Sequence, residues 1–190
     1  EIAIRKVSAP QARSMRDSFF ASNSMLKELY RSEEIENACS AQFLNAHCNY
    51  PLLEGQQTNL YKCVLENGFS LMSDKGFMGL LHPEGTYDDP NGQIFRKYMY
   101  RRLRYHFQYR NELLLFAEVS HTRSYSSNIY GCINDEVCFW NMNNLYHPST
   151  IDGSFAHDGH GICGGLKTFE GKRNINPHRE RILQITKNEL

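Results

Sequence analysis

Apolar positions along this chain change period several times, and each change predicts a new element. Ser8-Ala9-Pro10-Gln11 reads as a helix start: Ser8 is the N-cap, Pro10 sits in the first turn, and Gln11 is placed to complete a capping box. Ala12, Met15 and Phe19, with Phe20, follow at helical spacing. Met25, Leu29, Ile35, Ala38, Phe43 and Leu44 predict a second helix from Ser24 to about Ala46. Tyr50-Pro51-Leu52-Leu53-Glu54-Gly55 breaks that pattern, and Thr58 or Asn59 then caps a helix whose Leu60, Val64, Leu71 and Met72 share a face.

From Gly76 the pattern turns β-like. Phe77, Met78, Leu80 and Leu81 form an apolar run that stops at Pro83, and a loop rich in Gly, Asp and Pro leads to a helix expected from Gln93 to Leu103. This is how α/β enzymes present a ligand at the carboxyl end of a strand. Tyr105 to Phe116 and Tyr125 to Ile133 carry the aromatic and alternating content of strands. Beyond Asn134 the chain is rich in Asn, His, Gly and Pro, with a short helix expected near Trp140 to Leu145 and a late strand at Ile182 to Ile185. Three parts emerge: a helical block over 1–55, an α/β part over 56–133 and an irregular extension over 134–190.

With 190 residues, 41% of them hydrophobic and 12% aromatic, the chain can bury a core, and an ordered globular domain is expected. No apolar run approaches the roughly 18 residues a membrane span needs, and Glu1 to Lys6 lack the apolar core of a signal peptide. A cytoplasmic protein with no membrane contact is the expectation.

The 21 basic and 21 acidic residues balance, which argues against nonspecific nucleic-acid binding by the whole surface. The local run Arg96, Lys97, Arg101, Arg102, Arg104 and Arg110 contains no acid. It suits either phosphate contact or a solvated face paired with acids elsewhere. The six cysteines include no Cys-x-x-Cys pair, so free thiols and no metal are expected.

Three local chemistries compete. His157-Asp158-Gly159-His160-Gly161 with Cys163 has metal-ligating side chains and would suit a metal-dependent hydrolase. Glu170-Gly171-Lys172, with Asp152 or Asp158, matches the loose pattern of metal-dependent nucleases. Cys63 with His82, His106 or His121 could supply a nucleophile and base. None of these spacings demands its chemistry.

Longer blocks carry a more specific signal. Gln56-Gln57-Thr58-Asn59-Leu60-Tyr61-Lys62-Cys63, Leu81-His82-Pro83-Glu84-Gly85-Thr86-Tyr87-Asp88-Asp89-Pro90, the segment from Arg102 to Leu113, Ser127-Asn128-Ile129-Tyr130-Gly131 and Ala156-His157-Asp158-Gly159 occur in order. In them the chain resembles the S-adenosylmethionine-dependent adenine-N6 DNA methyltransferases of type IIG restriction-modification enzymes and phage-exclusion systems.

The resemblance implies an α/β fold: the second half of a Rossmann-like methyltransferase sheet, closing in an antiparallel hairpin and preceded by the helical block. It implies S-adenosylmethionine as cofactor, with Thr58, Asn59, Tyr61 and Pro83 on the cofactor side. It places Phe116 and Tyr125 near a flipped adenine, and Arg101, Arg102 and Arg104 on the phosphates of double-stranded DNA. The glycine loop that holds the methyl donor and the Asn-Pro-Pro-aromatic motif that handles adenine are not present, since no two of the six prolines are adjacent. The implied protein is then a fragment, inactive alone, whose partners are the rest of the methyltransferase domain, DNA, and its own copies through an open sheet edge. The alternative is a non-catalytic nucleic-acid-binding or regulatory domain of the same fold.

Overall fold

The computed structural model describes residues 7–57 and 59–190. Thr58, expected on the cofactor side, and the segment Glu1 to Lys6 lie outside them.

Helices α1 (Ala9–Ser22) and α2 (Ser24–Asn45) form where the apolar spacing predicts, and Ser8 and Gln11 complete the capping box. Neither helix buries a residue. Phe20 meets Tyr30 across the pair, while Phe19, Met25, Ile35 and Phe43 face solvent. After a 3-10 turn at Pro51–Leu53 comes α3 (Leu60–Leu71). The face it buries differs from the expected one. Leu60, Val64 and Leu71 are exposed, Leu71 to 85%, and Cys63, Leu65 and Phe69 point inward. Phe69 decides this, because its ring finds Phe95, Tyr98 and Tyr130, a larger aromatic surface than the leucines reach. Two charged groups enter with it. Lys62 binds Gln56 and Asp89, whereas Glu66 accepts the Leu52 N–H on one oxygen and leaves the other buried without a partner, and burial raises its carboxyl.

Five strands form one sheet: β1 (Met78–Pro83), β2 (Leu103–Arg110), β3 (Ser124–Tyr130), β4 (Cys138–Leu145) and β5 (Leu183–Thr186). Their spatial order is β1-β3-β2-β4-β5. Only β2 and β4 pair in parallel; the other neighbours are antiparallel. Because β3 runs antiparallel to both β1 and β2, those two strands point the same way with a reversed strand between them. The crossover from β1 to β2 carries the single turn α4 (Gly85–Asp88) and α5 (Gln93–Tyr100). The protein is therefore mixed α/β with an open, mostly antiparallel sheet. Among the described residues, β1 and β5 leave its two edges unpaired.

Three expected boundaries move. The helix expected through Leu103 ends at Tyr100, and Leu103 opens β2. The strand expected through Phe116 stops at Arg110, because Asn111–Leu113 turns as a 3-10 helix and Leu114 takes a left-handed backbone. The helix expected near Trp140 is strand β4: Phe139 and Asn141 alternate with Trp140 and Met142 across the sheet, a period of two. The segment after 134, read as irregular, thus adds β4, β5 and helix α6 (Ser149–Ala156) to the same sheet.

Helices cover both faces. On one, α3 and α5 close over Leu103, Tyr130 and Phe139 to make the main core. On the other, Phe155 of α6 packs on Tyr105 and Phe107, and Tyr109, Tyr125, Met142 and Leu145 form a smaller cluster. Among the described residues no helix is long and apolar enough to cross a membrane.

Candidate functional site

The carboxyl end of β1 separates two grooves. His82 points to the face covered by α3, and Pro83 to the opposite one, because successive strand residues alternate.

On the α3 side, a groove of about 550 Å³ is lined by Asn59, Tyr61, Lys62, Gly85, Asp88 and Asp89, among others. Tyr61 lies over the His82 ring, with centroids 5.8 Å apart and planes nearly parallel. Burial, helped by the charges of Asp88, Asp89 and Glu84, pushes its hydroxyl up to about 12. It stays a neutral donor. A Cβ at position 85 would stand 2.9 Å from the Tyr61 oxygen, so glycine here lets the loop approach the ring. Lys62 ties the loop to α3 through Asp89, whose carboxyl it holds below the usual range by that hydrogen bond. With Asp89 paired to Lys62, the Asp88 carboxylate and the Tyr61 phenol on the rim suit a ligand with a cationic centre and hydroxyls.

On the other side, a more apolar groove of about 400 Å³ is lined by Leu81, Pro83, Phe116, Val119, Arg123 and Tyr125, with His82 and Ser124. Phe116 stands edge-on to Tyr125 at 5.0 Å, and Tyr125 stacks on Tyr109 at 5.4 Å. The Tyr125 hydroxyl is buried and has no hydrogen-bond partner. Such a group costs free energy unless something pairs with it.

Behind both grooves runs a buried polar row. His82 bonds Tyr130 and the Asn128 amide, and Tyr87 donates to Asn128 at 2.6 Å. Burial lowers the His82 pKa against the opposing pull of the Pro83 carbonyl and Glu84, which keeps the ring neutral. His106 bonds Asn141 at 2.6 Å and Glu84 at 3.3 Å, and Gln108 donates to Glu84 at 2.9 Å. Burial alone would raise the Glu84 carboxyl; hydrogen bonds from His106, Ser126 and Gln108 outweigh it and hold the group below its ordinary value. The row fixes the end of β1 relative to β2 and β3.

The structure thus gathers some of the expected residues and separates others. Asn59 and Tyr61 share the first groove, whereas Pro83, expected with them, joins Phe116 and Tyr125 in the second. The three arginines lie at the far end of the sheet, the length of β1 away, roughly 17 Å at a strand's rise per residue. Each is engaged there. Arg101 donates to the Asn134 carbonyl, Arg102 to the Tyr98 hydroxyl, and Arg104 to the Cys132 carbonyl and Asn134 side chain. They tie the end of β3 to the start of β2.

The competing chemistries do not assemble. Asp158 accepts the His160 N–H and His157 the Gly159 N–H, both in local turns. Glu170 and Lys172 pair across an exposed hairpin tip. Cys63 is buried in the core, where burial, with the Glu66 charge, raises its thiol. All six cysteines are free.

Lys62, Glu84, Asp89 and Asn111 escaped the sequence reading. A charged residue inside an apolar helix face, as Lys62 is, was the available signal; a buried Lys demands a partner. In comparisons with known proteins, no family model matches the chain and no curated protein is significantly similar to it.

Proposed function

We propose that this chain is the later part of the catalytic domain of an S-adenosylmethionine-dependent adenine-N6 DNA methyltransferase serving restriction-modification or phage exclusion. The observation that carries the reading is the aromatic groove that Phe116, Pro83 and Tyr125 line at the end of β1. An extruded adenine needs an apolar slot, an aromatic surface and a hydrogen-bonding group; the groove's apolar lining and the Phe116 and Tyr125 rings support the first two. Asn59 and Tyr61 then border the cofactor on the other side of the same strand end, where the Asp88 carboxylate complements a sulfonium or an amino group while Asp89 is held by Lys62. The reversed pair β2 and β3, beside a parallel neighbour, is the kind of closing hairpin the resemblance implies and supports the assignment.

The methyl transfer itself needs a glycine loop for the donor and an Asn-Pro-Pro motif for the amine, and neither is among these residues. Activity therefore requires a companion segment, and β1, whose outer edge is unpaired, is where its sheet would add. DNA would approach the groove end, where Arg123 lines the pocket.

The test is chemical-shift mapping on the chain alone. Millimolar adenosine should move signals of Phe116, Val119 and Tyr125, and S-adenosylhomocysteine those of Asn59 and Tyr61. A chain insensitive to both ligands, or one that methylates DNA unaided, would overturn the reading.

A further inference from the structure

A second constellation lies away from both grooves, between the end of α6 and β5. From 157 to 177 the chain buries only Asn174, while Ile162 and Phe169 are almost fully exposed, so apolar packing does not hold this segment. Hydrogen bonds shape it instead. Gly159 and Gly161 take positive φ, and the hairpin from Leu166 to Asn174 is closed by Thr168 to Lys172 and Asn174 to Leu166 backbone bonds. Asn174 also donates to the Gly165 carbonyl at 2.7 Å, drawing Cys163 toward the returning strand. There His178 is anchored on α6: its N–H bonds the Ser154 hydroxyl, and its ring packs on His157 at 4.5 Å.

The result brings one ligand atom each from Cys163, His178 and Glu180 within 4.8 Å of one another. Donor atoms around tetrahedral zinc stand roughly 3.3–3.8 Å apart, given metal–ligand bonds of about 2.0–2.3 Å. Small side-chain rotations close the difference. His178 is 4% exposed and turns its Nδ1 toward Glu180, accepting that residue's N–H at 3.2 Å with the carboxylate 3.9 Å away, while its Nε2 is buried with no hydrogen-bond partner. With Nδ1 accepting that N–H, the neutral ring carries its proton on Nε2, so the lone pair a cation would take is that of Nδ1, in exchange for the Glu180 N–H.

We infer that Cys163, His178 and Glu180 form a site for a divalent cation of zinc-like character, which clamps the 157–182 segment against α6. Thiolate, imidazole and carboxylate are the ligand set such a borderline ion prefers, and the fourth position is open to water. Binding deprotonates the Cys163 thiol and releases that proton to solvent. The site does not depend on the methyltransferase reading.

The probe is Co²⁺, then Zn²⁺, added to the full chain after chelation. The wild type should retain about one equivalent of metal through dialysis and show the thiolate-to-cobalt charge-transfer band in the near ultraviolet. Cys163→Ser should abolish that band, and His178→Gln should weaken binding at least about tenfold. Cys132→Ser, an exposed thiol elsewhere, should change neither. Metal should also slow tryptic cleavage after Lys167 and Lys172 in the wild type but not in Cys163→Ser. A wild type that retains no metal, or whose cobalt spectrum lacks the thiolate band, overturns the inference whether or not the variants fold.

Discussion

Asn111 holds Phe116 in place with both ends of its amide. Its Nδ2 donates to the Phe116 carbonyl at 2.8 Å and to the Val119 carbonyl at 2.6 Å, while its Oδ1 accepts the Phe116 N–H at 3.1 Å. Asn111 has no exposed surface, so these bonds have no competition from water. An apolar loop that would otherwise wander is thereby fixed with Phe116 against Tyr125.

Asn111→Ala should therefore cost about 1–3 kcal/mol, since three hydrogen bonds made by a fully buried side chain are lost while the exposed Phe116 and Val119 backbone can turn to water. Urea unfolding measures it. A loss below about 1 kcal/mol would show that the loop satisfies itself.

Tyr125→Phe separates stability from binding. Removing a buried, unpartnered hydroxyl should leave stability unchanged or raise it by less than about 1 kcal/mol. Adenosine affinity, followed by chemical-shift titration, should nevertheless fall about fivefold to tenfold if that hydroxyl meets the base, since a net hydrogen bond is worth roughly 1 kcal/mol. Equal affinity for both proteins would remove Tyr125 from the base side.

Acid should destabilise the fold in two windows. His82 has a folded pKa below its ordinary 6.5, so the unfolded chain binds the proton more readily and stability is lost as pH falls below 6.5. Glu84, held below its ordinary 4.5, adds a second loss as pH falls below that value. Above both ordinary values these contributions are fully present. Urea midpoints across the range should decline in both steps, and His82→Gln should lack the first. A flat profile between pH 6.5 and 4.5 would contradict the neutral buried ring.

Open strand edges associate. Beside the unpaired edge of β1, Phe77 is 72% exposed. Sedimentation at high concentration should show self-association, and Phe77→Lys should shift the population toward monomer. A wild type that stays monomeric at high concentration would count against the edge as an interface.

The arginines divide by role. Arg104→Ala should lower stability by about 1–2 kcal/mol, because it caps the Cys132 carbonyl and Asn134, without altering the salt dependence of DNA binding. Arg123→Ala, at the groove mouth, should reduce the slope of log affinity against log salt by about one. The reverse result would put DNA at the opposite end of the sheet.

Much of this architecture is legible in local patterns. The Ser8 capping box, helix α2, the stop of β1 at Pro83 and the late strand at Leu183–Thr186 all appear where spacing and turn chemistry predict them. Those signals act within a few residues, through backbone hydrogen bonds and steric limits on φ, so the neighbouring sequence suffices to read them.

Other features depend on partners far along the chain. Which face of α3 turns inward was decided by Phe95 and Tyr130, and whether Trp140 lies in helix or strand by the waiting edge of β2. The arginine run reads as a phosphate-binding stripe until the carbonyls of Cys132 and Asn134 occupy it. Local order follows from periodicity because its interactions are short in sequence. Burial, pairing and the meeting of Pro83, Phe116 and Tyr125 follow only from tertiary structure, because the desolvation and contact energies that choose among alternatives are exchanged between residues tens of positions apart.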